Sequence, residues 1–87
     1  MKTIMVEYFN SEEVMVSFSF DKENVERIKM IEPKSRRYEP NGKFWVVHGS
    51  KLEELKKLFD GYIAIEGGLE DRLDLILTGK TSIQLSY

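Results

Sequence analysis

The sequence predicts an α+β domain. Two tandem ββα units form a mostly antiparallel sheet packed on helices, followed by a C-terminal helix and strand. Three observations carry that expectation. Residues 13–20 alternate, with Val14, Val16, Phe18 and Phe20 on one face and Met15, Ser17 and Ser19 on the other, the period of a half-buried strand. Residues 36–47 set Asn41-Gly42 between two strand-like runs, which reads as a hairpin with a two-residue loop. A shift of 27 residues lays Phe18, Phe20, Val25, Ile28 and Ile31 on Trp45, Val47, Leu52, Leu55 and Leu58, so the strand–strand–helix pattern occurs twice.

The elements follow in order. Residues 3–9 alternate weakly, with Ile4, Val6 and Tyr8 on one face, and Asn10-Ser11 marks a turn. Strand 13–20 comes next. Asp21 is a good helix N-cap ahead of Val25, Ile28 and Ile31 at helical spacing. Pro33 ends that helix, because the residue before a proline is pushed out of the α region. In the hairpin, Arg37 lies across from Val46 and Glu39 across from Phe44. The repeat turns Trp45 and Val47 inward with Phe18 and Phe20, and leaves Phe44 and Val46 outward. Ser50 and Glu53 form a capping box before Leu52, Leu55, Leu58 and Phe59, and Glu53 is spaced to pair with Lys57. Gly61 stops this helix. Tyr62 to Ile65 fit a short strand. Leu69, Leu73, Ile76 and Leu77 mark a third helix that Gly79 ends, and Ile83, Leu85 and Tyr87 alternate as a last strand. Ending on a strand without a polar tail fits a domain excised from a longer protein.

Composition narrows the function classes. Eighty-seven residues make one small domain spanning 1–87 with a thin core. The absence of Cys rules out thiol chemistry, disulfides and Cys-based metal sites. The lone His48 builds no metal site unaided, so no metal and no cofactor is expected. Apolar runs are only a few residues long, too short for a membrane span, and Glu7 interrupts any leader-like stretch. An intracellular protein is expected, cytoplasmic in a prokaryote or nuclear in a eukaryote. Abundant Glu and Lys, with one Gln, lean toward a thermophilic source.

A net charge of −2 argues against strong, sequence-independent DNA binding, but the charge is unevenly placed. Residues 29–43 carry Lys29, Lys34, Arg36, Arg37 and Lys43 against Glu32 and Glu39, locally +3. Residues 60–80 carry Asp60, Glu66, Glu70, Asp71 and Asp74 against Arg72 and Lys80, locally −3. Such a dipolar surface suits a module that leans one face on an anion, and it equally fits ordinary surface scatter.

Catalytic motifs fail on inspection. Gly79-Lys80-Thr81-Ser82 resembles the end of a P-loop, but Asp74 stands where the first Gly belongs, and a helix rather than a strand precedes it. His48 lacks a nucleophile partner. Glu66-Gly67-Gly68 reads as a turn, and the carboxylates at 70, 71 and 74 as a solvated helix face. No catalytic residue and no small-molecule substrate is expected. Two features admit two readings. Trp45 is a core residue or part of a base-stacking platform. Arg36 and Arg37 are phosphate clamps, helped by Lys34 and Lys43, or strand-edge charges that deter aggregation.

Ile28 and Ile31, then Arg37, Tyr38, Pro40, Lys43, Trp45 and Val47, then Leu55 and Leu58 together resemble the HARP domain. That domain accompanies Swi/Snf-type annealing helicases and related phage and archaeal repair helicases. The resemblance covers residues 14–60; residues 61–87 are an unmatched extension. It implies a non-catalytic DNA-repair accessory module that recognises branched or single-strand/double-strand junction DNA, with the ATPase in a linked or partner chain. The expected DNA-binding residues are Lys34, Arg36, Arg37, Lys43, Phe44 and Trp45. The basic residues would anchor phosphates and Phe44 would stack on an unpaired base. The expected partners are fork or single-stranded DNA and a helicase motor. The alternatives are a protein-interaction module docking through the acidic helix 69–78 or a strand edge, and a small virus- or plasmid-encoded inhibitor.

Overall fold

The computed structural model describes residues 2–73, and within them the chain folds as an α+β protein. Five strands form one sheet: β1 (Ile4–Asn10), β2 (Glu13–Ser17), β3 (Arg36–Glu39), β4 (Phe44–His48) and β5 (Ile63–Ile65). Their order is β3-β4-β2-β1-β5. Neighbours are antiparallel except β1 and β5, which run parallel. The helices are α1 (Lys22–Ile28), α2 (Leu52–Leu58) and α3 (Leu69–Arg72).

Alternation explains the layering. Ile4 and Val6 of β1, Val14 and Val16 of β2, and Trp45 and Val47 of β4 point to one face and join Ile28, Ile31, Leu52, Leu55, Phe59, Leu69 and Leu73 in a single buried cluster. All three helices therefore cover the inner face of the sheet. Each is fixed by a local device. Asp21 caps α1 by accepting from the Asn24 backbone N–H at 3.0 Å. The buried Asn24 amide donates to the Lys2 carbonyl at 2.7 Å, tying α1 to the start of β1. Arg27 of α1 donates to the Leu58 carbonyl at 3.0 Å, satisfying one of the orphan acceptors at the end of α2. Gly61, at φ 83°, turns the chain out of α2.

Several expectations need correction. β2 stops at Ser17, because its neighbours run out there: β1 begins at Ile4 and β4 at Phe44. Phe18 and Phe20 lie beyond the strand, and Phe20 is 80% exposed rather than inward. The ββα pattern does occur twice, but the 27-residue equivalence fails at its inward residues: Trp45 and Val47 lie within β4, whereas Phe18 and Phe20 fall beyond β2, whose inner-face residues are Val14 and Val16. The hairpin pairs Arg37 with Val46 and Glu39 with Phe44 as expected, but its loop spans the four residues 40–43. Pro40 has no N–H, so it cannot complete the bonded pair that a two-residue Asn-Gly loop requires. Instead, the Lys43 N–H closes on the Glu39 carbonyl at 2.8 Å. Val46 faces outward but is buried, 1% exposed, with Met15 and Arg37 as its cross-strand partners.

Helix α2 is entered through a 3₁₀ turn at Gly49–Lys51 that His48 caps; α2 itself follows Lys51 with no side-chain cap, so Ser50 does not cap it. The His48 ring accepts from the Ser50 N–H at 3.2 Å. Glu53 pairs with Lys56 at 3.0 Å, not with Lys57. Helix α3 ends at Arg72, where Leu73 is extended at ψ 154°. The expected continuation of this helix to 78, the Gly79–Ser82 segment and the last strand lie outside the described residues.

Candidate nucleic-acid interface

The fold splits the six expected DNA-binding residues between two sheet faces, the hairpin loop and the turn before β3. On β3, Arg36 and Tyr38 share the inner face with Trp45, while Arg37 and Glu39 share the outer face with Phe44 and Val46. Lys43 lies in the loop between the strands. Lys34 is exposed in the 3₁₀ turn Pro33–Ser35 that precedes β3.

Arg36 is held by the protein. Its Nε donates to the Ile31 carbonyl at 2.8 Å and its Nη2 to the Lys29 carbonyl at 3.4 Å, and its guanidinium lies 5.9 Å from the Trp45 ring centroid. These bonds satisfy carbonyls left over where α1 ends. Arg37 is engaged on the other face. It donates to Glu13 at 2.6 Å, reaches Glu39 at 3.9 Å and lies 5.7 Å from the Phe9 ring centroid. Burial works to raise the Glu13 pKa, but hydrogen bonds from Asn10 and Arg37, with the Arg37 and His48 charges, hold it below the usual carboxylate range. Phe44 packs on Phe9, ring centroids 6.0 Å apart. A Cβ at Gly42 would collide with the Phe44 ring, so any side chain there would have to displace that ring.

The three lysines stand apart from these pairs. Lys29, Lys34 and Lys43 are exposed, and none makes a salt bridge among the described residues. Lys43 occupies the left-handed region at φ 58°. Lys29 and Lys43 line one cleft of about 580 Å³. Tyr38 and Trp45 form its hairpin wall, with ring centroids 5.2 Å apart at 59°. Phe18 and Phe20, from the loop between β2 and α1, form another, and Val16 and Val25 also line it. Trp45 is therefore both a core residue, 9% exposed, and part of a cleft wall.

Lys29, Phe18, Phe20 and Tyr38 join the cleft lining without being among the residues expected from the sequence. Tyr38 was within reach, since alternation puts it on the face of Trp45 with which it pairs. Lys29 follows Val25 by one helical turn, a spacing that places both on one side of α1. A second grouping involves the end of β5. Glu66 accepts from the Tyr8 backbone N–H at 2.7 Å and from Arg72 at 3.0 Å, and Arg72 covers the Tyr8 ring at 3.9 Å from its centroid. This network fastens the chain after β5 to β1 and serves the fold. No family model, curated protein or solved structure matches this chain.

Proposed function

We propose that this protein is a non-catalytic DNA-binding accessory module that recognises branched or single-strand/double-strand junction DNA for a helicase or ATPase. The observation that carries this reading is the aromatic cleft with Lys29, Lys43 and the half-exposed Tyr38 in its lining, together with the exposed Lys34 before β3; none of the three lysines forms a salt bridge among the described residues. Exposed cations not held in salt bridges attract phosphates, and exposed rings stack unpaired bases. The resemblance of residues 14–60 to the HARP domain supports the same reading. Its charge contacts fall to the lysines, because Arg36 and Arg37 are occupied by carbonyls and carboxylates. A module of this kind reads the shape of DNA rather than its sequence, since no bidentate base-edge pair is in view.

Fluorescence anisotropy with labelled fork, single-stranded and duplex DNA at low salt tests this. Fork or single-stranded DNA is expected to bind more tightly than duplex. Absence of binding to all three overturns the proposal.

The outer face favours a second reading. Met5 is 45% exposed and Phe9 37% exposed there, and no described helix covers them. A protein partner such as a helicase motor would bury these side chains. Such a contact weakens little with salt, whereas DNA binding weakens steeply.

A further inference from the structure

The cleft between the β3–β4 hairpin and the β2–α1 loop has aromatic side chains on two sides and cations at its rim. Phe20 is 80% exposed, a large apolar side chain left in water beside a second exposed ring, Tyr38, at 47%. Lys43 is held at φ 58°, a conformation that is unfavourable for a residue with a Cβ, although its ammonium has no carboxylate partner among the described residues. The rim is cationic and the walls are apolar and flat. The ligand that matches both is a flat, π-faced group with anions attached on either side.

Resting on the DNA-binding reading above, we infer that this cleft takes one unpaired nucleobase, stacked against Tyr38 and Phe20, while Lys29 and Lys43 hold the phosphates flanking it. A base inside a duplex is covered on both faces by its neighbours and cannot enter. The cleft thus accounts for selection of single strands at a junction without any contact that distinguishes one base from another. Phe44, on the opposite face of the sheet and packed on Phe9, has no part in this stacking.

Trp45 is the only tryptophan in the chain and lines the cleft, so its emission reports on occupancy. The full chain is titrated with an oligothymidylate and with an abasic deoxyribose-phosphate strand of the same length. The thymidylate is expected to quench Trp45 and to bind about fivefold to 100-fold more tightly than the abasic strand, the usual range for one stacked base. Phe20→Ala, at an exposed position, is expected to remove most of that difference while leaving abasic binding unchanged. Lys29→Gln is expected to weaken both strands. Equal affinity for the two strands with no change in Trp45 emission overturns the cleft assignment and leaves the DNA-binding reading standing. Binding of neither strand overturns both. Equal quenching by oligoglutamate makes the cleft an acidic-peptide site and also overturns the assignment.

Discussion

Lys43 stores strain that a glycine would not. At φ 58° its Cβ crowds the backbone, at a cost of roughly 1–2 kcal/mol. Lys43→Gly is therefore expected to raise stability in urea unfolding by about 1 kcal/mol, part of the relief being offset by the greater freedom of glycine in the unfolded chain. The same change is expected to weaken DNA binding. Stability and affinity moving in opposite directions would separate a functional lysine from an incidental one. Glu13 gives a second residue-scale prediction. Its folded pKa is depressed, so its contribution is present above its unfolded value of about 4.3 and is lost as pH falls through the lower folded value. Acid titration of stability should show a shallower decline over that window for Glu13→Gln than for the unaltered protein. Equal slopes would contradict the assigned role of the Arg37 contact. Neither effect was legible in the sequence. Asn41-Gly42 signals a two-residue loop, and only the missing N–H of Pro40 moves the left-handed residue to Lys43. The Glu13–Arg37 pair joins β2 to β3 across β4, a contact that no local spacing encodes.

At the scale of elements, the boundaries rather than the types carry the lesson. Val14 and Val16 alternate cleanly, and β2 forms with both buried. Phe18 and Phe20 continue the same period, yet the strand ends because β1 and β4 end beside it. Strand length is a property of the sheet, and a single strand's pattern does not show where its partners stop. The entry to α2 has the same character. Ser50 and Glu53 fit a capping box, but β4 runs straight into a 3₁₀ turn, and His48 reaches the Ser50 N–H first. His48→Ala is expected to lower stability by about 1 kcal/mol, the usual value of a side-chain cap, and His48→Asn to restore most of it. Loss of the same size with both variants would show that the ring matters through packing instead. Lys56 links α2 to α3. Its hydrogen bond to Glu70, then that to Glu53, raises its pKa against the opposing effect of burial. Its contribution is present below its unfolded pKa and is lost as pH rises through the folded value.

Among the described residues, one sheet with helices on one side leaves two different surfaces. The inner side closes the core and, at the end where β2 stops and the hairpin loop begins, opens into the aromatic cleft. The outer side carries Phe9 in contact with both Phe44 and Arg37. The α+β class and the hairpin register were legible because hydrophobic period and turn chemistry are local. The site was legible only in part. The basic segment 29–43 contains the exposed lysines, but the sequence cannot say which cations the fold consumes, and Arg36 and Arg37 are engaged by carbonyls and carboxylates that meet them only after folding. The net charge of −2 means that attraction to DNA must be local, through a few lysines. The most direct measurement is therefore the salt dependence of fork-DNA affinity for the unaltered protein and for the Lys29→Ala, Lys34→Ala, Lys43→Ala triple variant. If the three lysines each contact a phosphate, log affinity against log salt should lose about 2 units of slope in the variant, from roughly 0.7 per phosphate on a single strand. A steep slope identical in both proteins would place the phosphate contacts elsewhere and contradict the account.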